Sequence, residues 1–140
     1  MASQKISYKL LFDFGLVILI WMTQLIVYPS FSEYSVSELL NWHASYTMRI
    51  TIIVMPLMFG QVGIHLYELM KERTTLGMIS FGLIILAWAN TFFFAVPLHN
   101  QITQGIEVLE AAEQLVTVNA YRTAFWTAVF GIDLYLAYKK

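Results

Sequence analysis

Apolar residues run in four long stretches along the chain, each broken at only a few polar positions. Leu10 to Tyr28 is interrupted by Asp13, Thr23 and Gln24. Ala44 to Met70 carries Arg49, Gln61, His65 and Glu68; Leu76 to Leu98 carries Asn90; Val118 to Tyr138 carries Asn119, Arg122 and Asp133. Each stretch has about the length that crosses a hydrocarbon core as a helix. The pattern predicts an all-α, membrane-embedded four-helix bundle, one domain over 1–140, with helices at about 10–28, 44–70, 76–98 and 118–138. The first stretch is longer than a signal-peptide core, and Val27-Tyr28-Pro29-Ser30-Phe31 offers no small-x-small cleavage site, so it reads as a retained helix.

The connecting segments are patterned too. Ser35-Val36-Ser37-Glu38 has capping-box spacing. Ile102, Ile106, Leu109 and Val116 recur roughly helically, with Glu107, Glu110 and Glu113 between them. A short amphipathic helix is therefore expected in each outer loop. Pro56 predicts a kink in the second helix, and no internal repeat shows.

Composition strengthens the membrane reading. Hydrophobic residues make up 59% of the chain and charged residues 12%, about half the usual charged share of a soluble domain. A net charge of -1 lacks the basic footprint of a nucleic-acid partner. The chain has no cysteine, which removes disulfides and thiolate metal sites. Lys5, Lys9, Lys71, Arg73, Lys139 and Lys140 fall on one side of the threaded bundle, and the opposite loops contain no Lys or Arg. The positive-inside rule then predicts both termini in the cytoplasm, with the inner membrane of a bacterium as the expected location.

The remaining polar residues separate by depth. The inner half holds Asp13, Gln61, His65, Glu68 and Asp133; the outer half gathers Gln24, His43, Arg49, Asn90, His99, Asn100, Asn119 and Arg122. On the fourth helix Asn119, Arg122, Trp126 and Asp133 fall within about 60° of one another at 100° per residue, so this stripe faces the bundle. A charge at the bilayer centre costs about 2.5–3.5 kcal/mol and marks function by default. Gln24, Arg49, Asn90, His99, Asn119 and Arg122 are expected to line one cavity, with Trp21, Tyr46, Asn100 and Trp126 as further ligand contacts. His43 and His99 are candidate bases, or candidate ligands for haem or copper.

Val96-Pro97-Leu98-His99-Asn100-Gln101-Ile102, followed by Asn119-Ala120-Tyr121-Arg122-Thr123-Ala124-Phe125-Trp126, resembles the anthrone-oxygenase-like family of small four-helix membrane proteins. The resemblance covers mainly the C-terminal third and carries over to Pro97, Leu98, His99 or Asn100, Asn119, Arg122, Thr123 and Trp126; Ala120 stands where an aromatic is common in that family. It implies oxidation of a flat, anthrone- or quinone-like substrate with oxygen and no established cofactor. His43 or His99 would take the proton, while Arg49, Arg122 and Asn119 would hold the developing oxyanion. Two other readings stay open: a haem or copper protein ligated by His43 and His99, and a non-catalytic protein that binds membrane lipid or assembles with a partner, a homo-oligomer included.

Cysteines placed at Ser35 and Gln114 are expected to react with a membrane-impermeant maleimide in intact cells. Reaction only after permeabilisation would reverse the orientation.

Overall fold

The structure, a computed structural model, describes residues 7–139; Lys5 and Lys140 lie outside them. Four helices account for all its regular structure. We label them α1 (Tyr8–Glu33), α2 (Val36–Lys71), α3 (Thr75–Gln104) and α4 (Val108–Tyr138). Each packs beside its neighbour in sequence, and α4 closes the ring against α1. The short connections make successive helices antiparallel. One end of the bundle holds both termini and the α2–α3 turn; the other holds the α1–α2 and α3–α4 loops.

Three of the helices, α1, α2 and α3, are long and apolar enough to cross a membrane. Their outward faces are apolar as well: Leu25, Ile26, Ile52, Ile53, Phe93 and Phe94 are all more than half exposed. α4 is more polar: Glu110, Glu113 and Gln114 are exposed in its first turns, and a polar stripe farther along points inward. Asn119, Arg122, Thr123, Trp126 and Asp133 are all buried.

The helices run longer than the apolar stretches suggest, which changes the picture of the loops. α2 spans 36 residues, about 54 Å at 1.5 Å per residue, and it stays helical through Pro56 without a break. The Ser35–Glu38 capping box is formed, with Ser35 N–H donating to Glu38 Oε2 at 2.9 Å. It starts α2 itself, not a separate rim helix. The expected second rim helix is the first turns of α4. Its buried face is Val108, Ala111, Ala112 and Leu115, while Ile106 and Leu109 are half exposed. The reason is the sharp turn before it. Gly105 takes φ +73° at the end of α3, and Glu107 takes φ 45° immediately before α4. These positive φ values reset the helical phase, which a continuous count from Ile102 misses.

α1 and α3 share a local device. Each widens into a π turn, Thr23–Val27 in α1 and Thr91–Ala95 in α3. Each turn opens with a threonine whose hydroxyl bonds the carbonyl four residues back, Leu19 and Ala87 respectively. Each is followed by a proline six residues after that threonine, Pro29 and Pro97. Proline lacks the N–H that an α-helix needs at that point and its ring crowds the carbonyl four residues earlier. The residue before each proline instead bonds five residues back, Tyr28 N–H to Thr23 and Val96 N–H to Thr91. This T-x5-P correspondence is a short repeat that the hydropathy pattern conceals.

Gly60 of α2 sits against the ring of Phe12 on α1, and a β-carbon there would overlap the ring edge. Gly60→Ala is expected to destabilise the α1–α2 contact by about 1–3 kcal/mol, and Phe12→Leu to recover part of that loss. Gly63→Ala, with open space around it, should leave the melting temperature in detergent unchanged.

Candidate functional site

The π turns deliver two side chains to the loop end of the bundle core: Tyr28 directly after the first, and His99 one turn after the second. They meet there, Tyr28 Oη lying 2.9 Å from His99 Nε2. α2 contributes His43, whose Nε2 is 2.9 Å from His99 Nδ1 with the rings stacked. α4 contributes Arg122, which donates to Tyr28 Oη at 3.1 Å and to Asn119 Oδ1 at 2.6 Å. Asn119 in turn donates to Gln24 Oε1 at 2.9 Å. One hydrogen-bonded chain thus joins all four helices.

The polarity of this chain follows from its ends. The Thr103 hydroxyl donates its single hydrogen to the His99 carbonyl at 3.0 Å. His43 Nδ1, 3.1 Å from that hydroxyl, must therefore donate to it. With neutral rings, His43 Nε2 accepts from His99 Nδ1–H, and His99 Nε2 accepts from the Tyr28 hydroxyl. Tyr28 oxygen accepts from Arg122, which cannot accept at all. Tyr28 is consequently polarised from both sides: an imidazole nitrogen accepts its hydrogen bond, and a cation faces its oxygen.

Arg122 is buried, and its partners are neutral. Thr91, Tyr28 and Asn119 receive three of its five N–H groups. No carboxylate among the described residues pairs with it, and its Nε is buried without a partner. Beside it lies a cavity of about 410 Å³, bounded by α1, α2, α3 and α4. Tyr28, Tyr46, His99, Asn100, Thr103 and Arg122 supply polar groups to its wall; Leu19, Ile50, Val54, Met58, Phe92 and Trp126 supply apolar surface. The volume falls in the range of small-molecule sites, about 300–1,000 Å³.

The candidates drawn from sequence divide accordingly. Tyr46, His99, Asn100, Arg122 and Trp126 line the cavity, and His43, Asn119 and Gln24 stand behind it in the network. Three do not join. Arg49 is exposed on the outside of α2, its guanidinium 5.7 Å from the Trp42 ring. Six residues on from His43, at 100° each, put it about 120° away from the inward face. Trp21 is 43% exposed and donates to Thr127 on the outer α1–α4 seam. Asn90 is half buried, and its Oδ1 has no partner. Tyr28 falls on the same stripe of the first helix as Trp21 and Gln24 but is not among those candidates; an aromatic at a helix end reads first as an interface anchor.

The geometry also revises the haem or copper reading. The four ring nitrogens of His43 and His99 are taken up by each other, by Tyr28 and by Thr103. A haem or copper ion at this pair would have to displace these contacts.

A second buried polar cluster occupies the termini end. Asp13 accepts from Gln61 Nε2 at 2.7 Å, and His65 Nε2 lies 3.1 Å from Asp13 Oδ1 and 3.2 Å from Asp133 Oδ2. Lys9 bridges Asp133 and Glu68 at 2.8 and 3.0 Å. Trp126 links the two regions by donating to Gln61 Oε1 at 3.0 Å. No protein-family model matches the chain, and no match was found among curated proteins or solved structures.

Trp126→Phe is expected to keep most of the packing but leave Gln61 Oε1 buried and unpaired, at a cost of about 1–3 kcal/mol. Chemical or thermal unfolding in detergent measures it. A Gln61→Leu, Trp126→Phe double variant should recover part of the loss.

Proposed function

We propose that this chain is a membrane oxidoreductase-like protein whose loop-end cavity binds a flat, hydrophobic molecule with an enolisable carbonyl or a quinone oxygen. The observation that carries this reading is a buried guanidinium with no carboxylate partner among the described residues, on the wall of a largely apolar cavity. Such a group favours a ligand that brings partial or full negative charge on oxygen. A soluble anion would be poorly matched to the apolar walls; an aromatic enolate or a quinone suits both surfaces. The resemblance of the Pro97–Leu98–His99 and Asn119–Arg122–Trp126 elements to the anthrone-oxygenase-like family supports the same substrate class.

The chemistry follows from the polarity of the network. An anthrone is a carbon acid. As the substrate's carbon-bound proton leaves, the Tyr28 oxygen receives it and passes its own proton to His99 in the same step, so no free phenolate forms. The enolate oxygen formed is held by the free N–H groups of Arg122. Molecular oxygen then adds to the enolate carbon, and the peroxide anion takes back the proton held by the Tyr28–His99 pair. The resulting hydroperoxide loses its second carbon-bound hydrogen as the O–O bond breaks, giving the quinone carbonyl and one water. The chain's own residues supply the base, the oxyanion partner and a dry cavity; oxygen supplies the oxidising power. In this reading α4 crosses the membrane with the other helices, its polar stripe sheltered inside. Both termini lie in the cytoplasm, supported by the distribution of basic residues.

Purified protein in detergent is expected to convert anthrone to anthraquinone with oxygen uptake above the spontaneous rate. Tyr28→Phe should lower the catalysed rate by about a hundredfold or more, with little change in melting temperature. Arg122→Lys keeps the charge but loses the planar fork and should be similarly impaired. Unaltered turnover in Arg122→Lys would remove the oxyanion role. Binding of anthrone without turnover would instead favour the non-catalytic lipid- or quinone-binding reading.

A further inference from the structure

The polar cluster at the termini end takes no part in that chemistry, and its arrangement is specific. We propose that Asp13, His65 and Asp133 form a binding site for a divalent first-row transition ion, with zinc as the best-matched probe. One donor atom from each residue lies within 4.8 Å of the other two. His65 Nε2 stands 3.1 Å from Asp13 Oδ1 and 3.2 Å from Asp133 Oδ2. Bonds of about 2.0–2.2 Å at tetrahedral angles put neighbouring ligand atoms about 3.3–3.6 Å apart. The two separations from His65 fall short of that by only a few tenths of an ångström, and the carboxylate oxygens lie within 4.8 Å of each other.

Hydrogen bonding alone accounts poorly for the same geometry. An imidazole N–H points in one direction in the ring plane. It cannot be well aligned to two carboxylates that approach the same nitrogen from different helices. Asp13 is 1% exposed, and its second oxygen, Oδ2, is buried with no partner at all. A carboxylate left half satisfied at that depth is costly, and a dication at Oδ1 would offset the charge of the whole group. Two buried carboxylates and a neutral imidazole supply the charge that a dication needs.

The surroundings have the character of a metal site's outer shell. Gln61 donates to the ligating oxygen of Asp13, and Ser80 to that of Asp133 at 3.2 Å. Lys9 holds the other oxygen of Asp133. These contacts fix the carboxylates in place without using the atoms' remaining lone pairs. His65 and Asp133 also border an open cavity of about 690 Å³ at the termini end. That cavity gives an ion a route to the site and leaves a fourth position for water, the pattern of an accessible three-ligand centre.

Zinc titration into chelator-treated protein in detergent tests this by calorimetry and by melting temperature. One zinc ion per chain is expected, with a rise in melting temperature on saturation. His65→Gln and Asp13→Asn should each weaken binding by at least about tenfold, the scale seen when a supporting partner alone is lost. Zinc-edge absorption spectroscopy of the unaltered chain keeps the proposal testable if these variants fail to fold. One imidazole with oxygen ligands at about 2.0–2.2 Å supports the site. Two imidazoles would assign zinc to His43 and His99 and overturn it. So would the lack of stoichiometric binding, or undiminished binding in folded His65→Gln.

Discussion

A guanidinium buried among neutral partners sets the terms for the loop-end half of this protein. Arg122 has given up water and received no carboxylate in return. Dipoles from three helices must do what a counter-ion would otherwise do: Asn119 from its own helix, Tyr28 from α1 and Thr91 from α3. Those partners need their own positions fixed, and the network extends to Gln24, His99, His43 and Thr103 for that reason. In an apolar slab, each of these bonds is strengthened by the absence of competing water. The register of the four helices at that end is thereby tied to one cation.

The two polar regions differ in electrostatic construction. At the loop end a cation is solvated by dipoles. At the termini end the carboxylates of Asp133 and Glu68 face the Lys9 ammonium, so charge meets charge. Trp126 and Gln61 stand between them. The Gln61 amide gives its oxygen to Trp126 and its nitrogen to Asp13, so its orientation is determined from both sides. An indole N–H donates and cannot accept. The link is therefore mechanical: it transmits position between the regions, and no proton passes through it.

Much of this was legible in the residues themselves. The helix count follows from hydropathy alone, and the inward stripe of α4 follows from 3.6-residue periodicity, because helix phase is reliable over a few turns. Phase fails where the backbone departs from the α-helix. The positive φ values at Gly105 and Glu107 displaced the predicted face of the acidic segment. Arg49 was misassigned for a simpler reason. His43, Tyr46 and Arg49 step by three, and each step drifts about 60° around the helix, so the third member had left the core. Tyr28 could not be ranked above other helix-end aromatics without its partners from α3 and α4. The His65 cluster unites residues from α1, α2 and α4 that threading by depth already places in one half of the bundle; their contacts needed the packed helices.

The π turns carry a consequence for how this chain tolerates change in length. A π turn is an α turn with one residue added, held open here by a threonine at its start and a proline just beyond. Removing one residue from either turn would let the helix close to ordinary pitch at little local cost. Everything beyond it would then rotate by about 100° and withdraw by about 1.5 Å. In α1 that swings Tyr28 out of reach of both Arg122 and His99; in α3 it turns His99 from His43. The same rotation would carry Phe31, or Leu98 and Ile102, out of the loop-end core, while the apolar contacts on the termini side of the turn would keep their phase. A sequence of nearly the same hydropathy, one residue shorter, would thus keep half of its bundle and lose the packing of the other half.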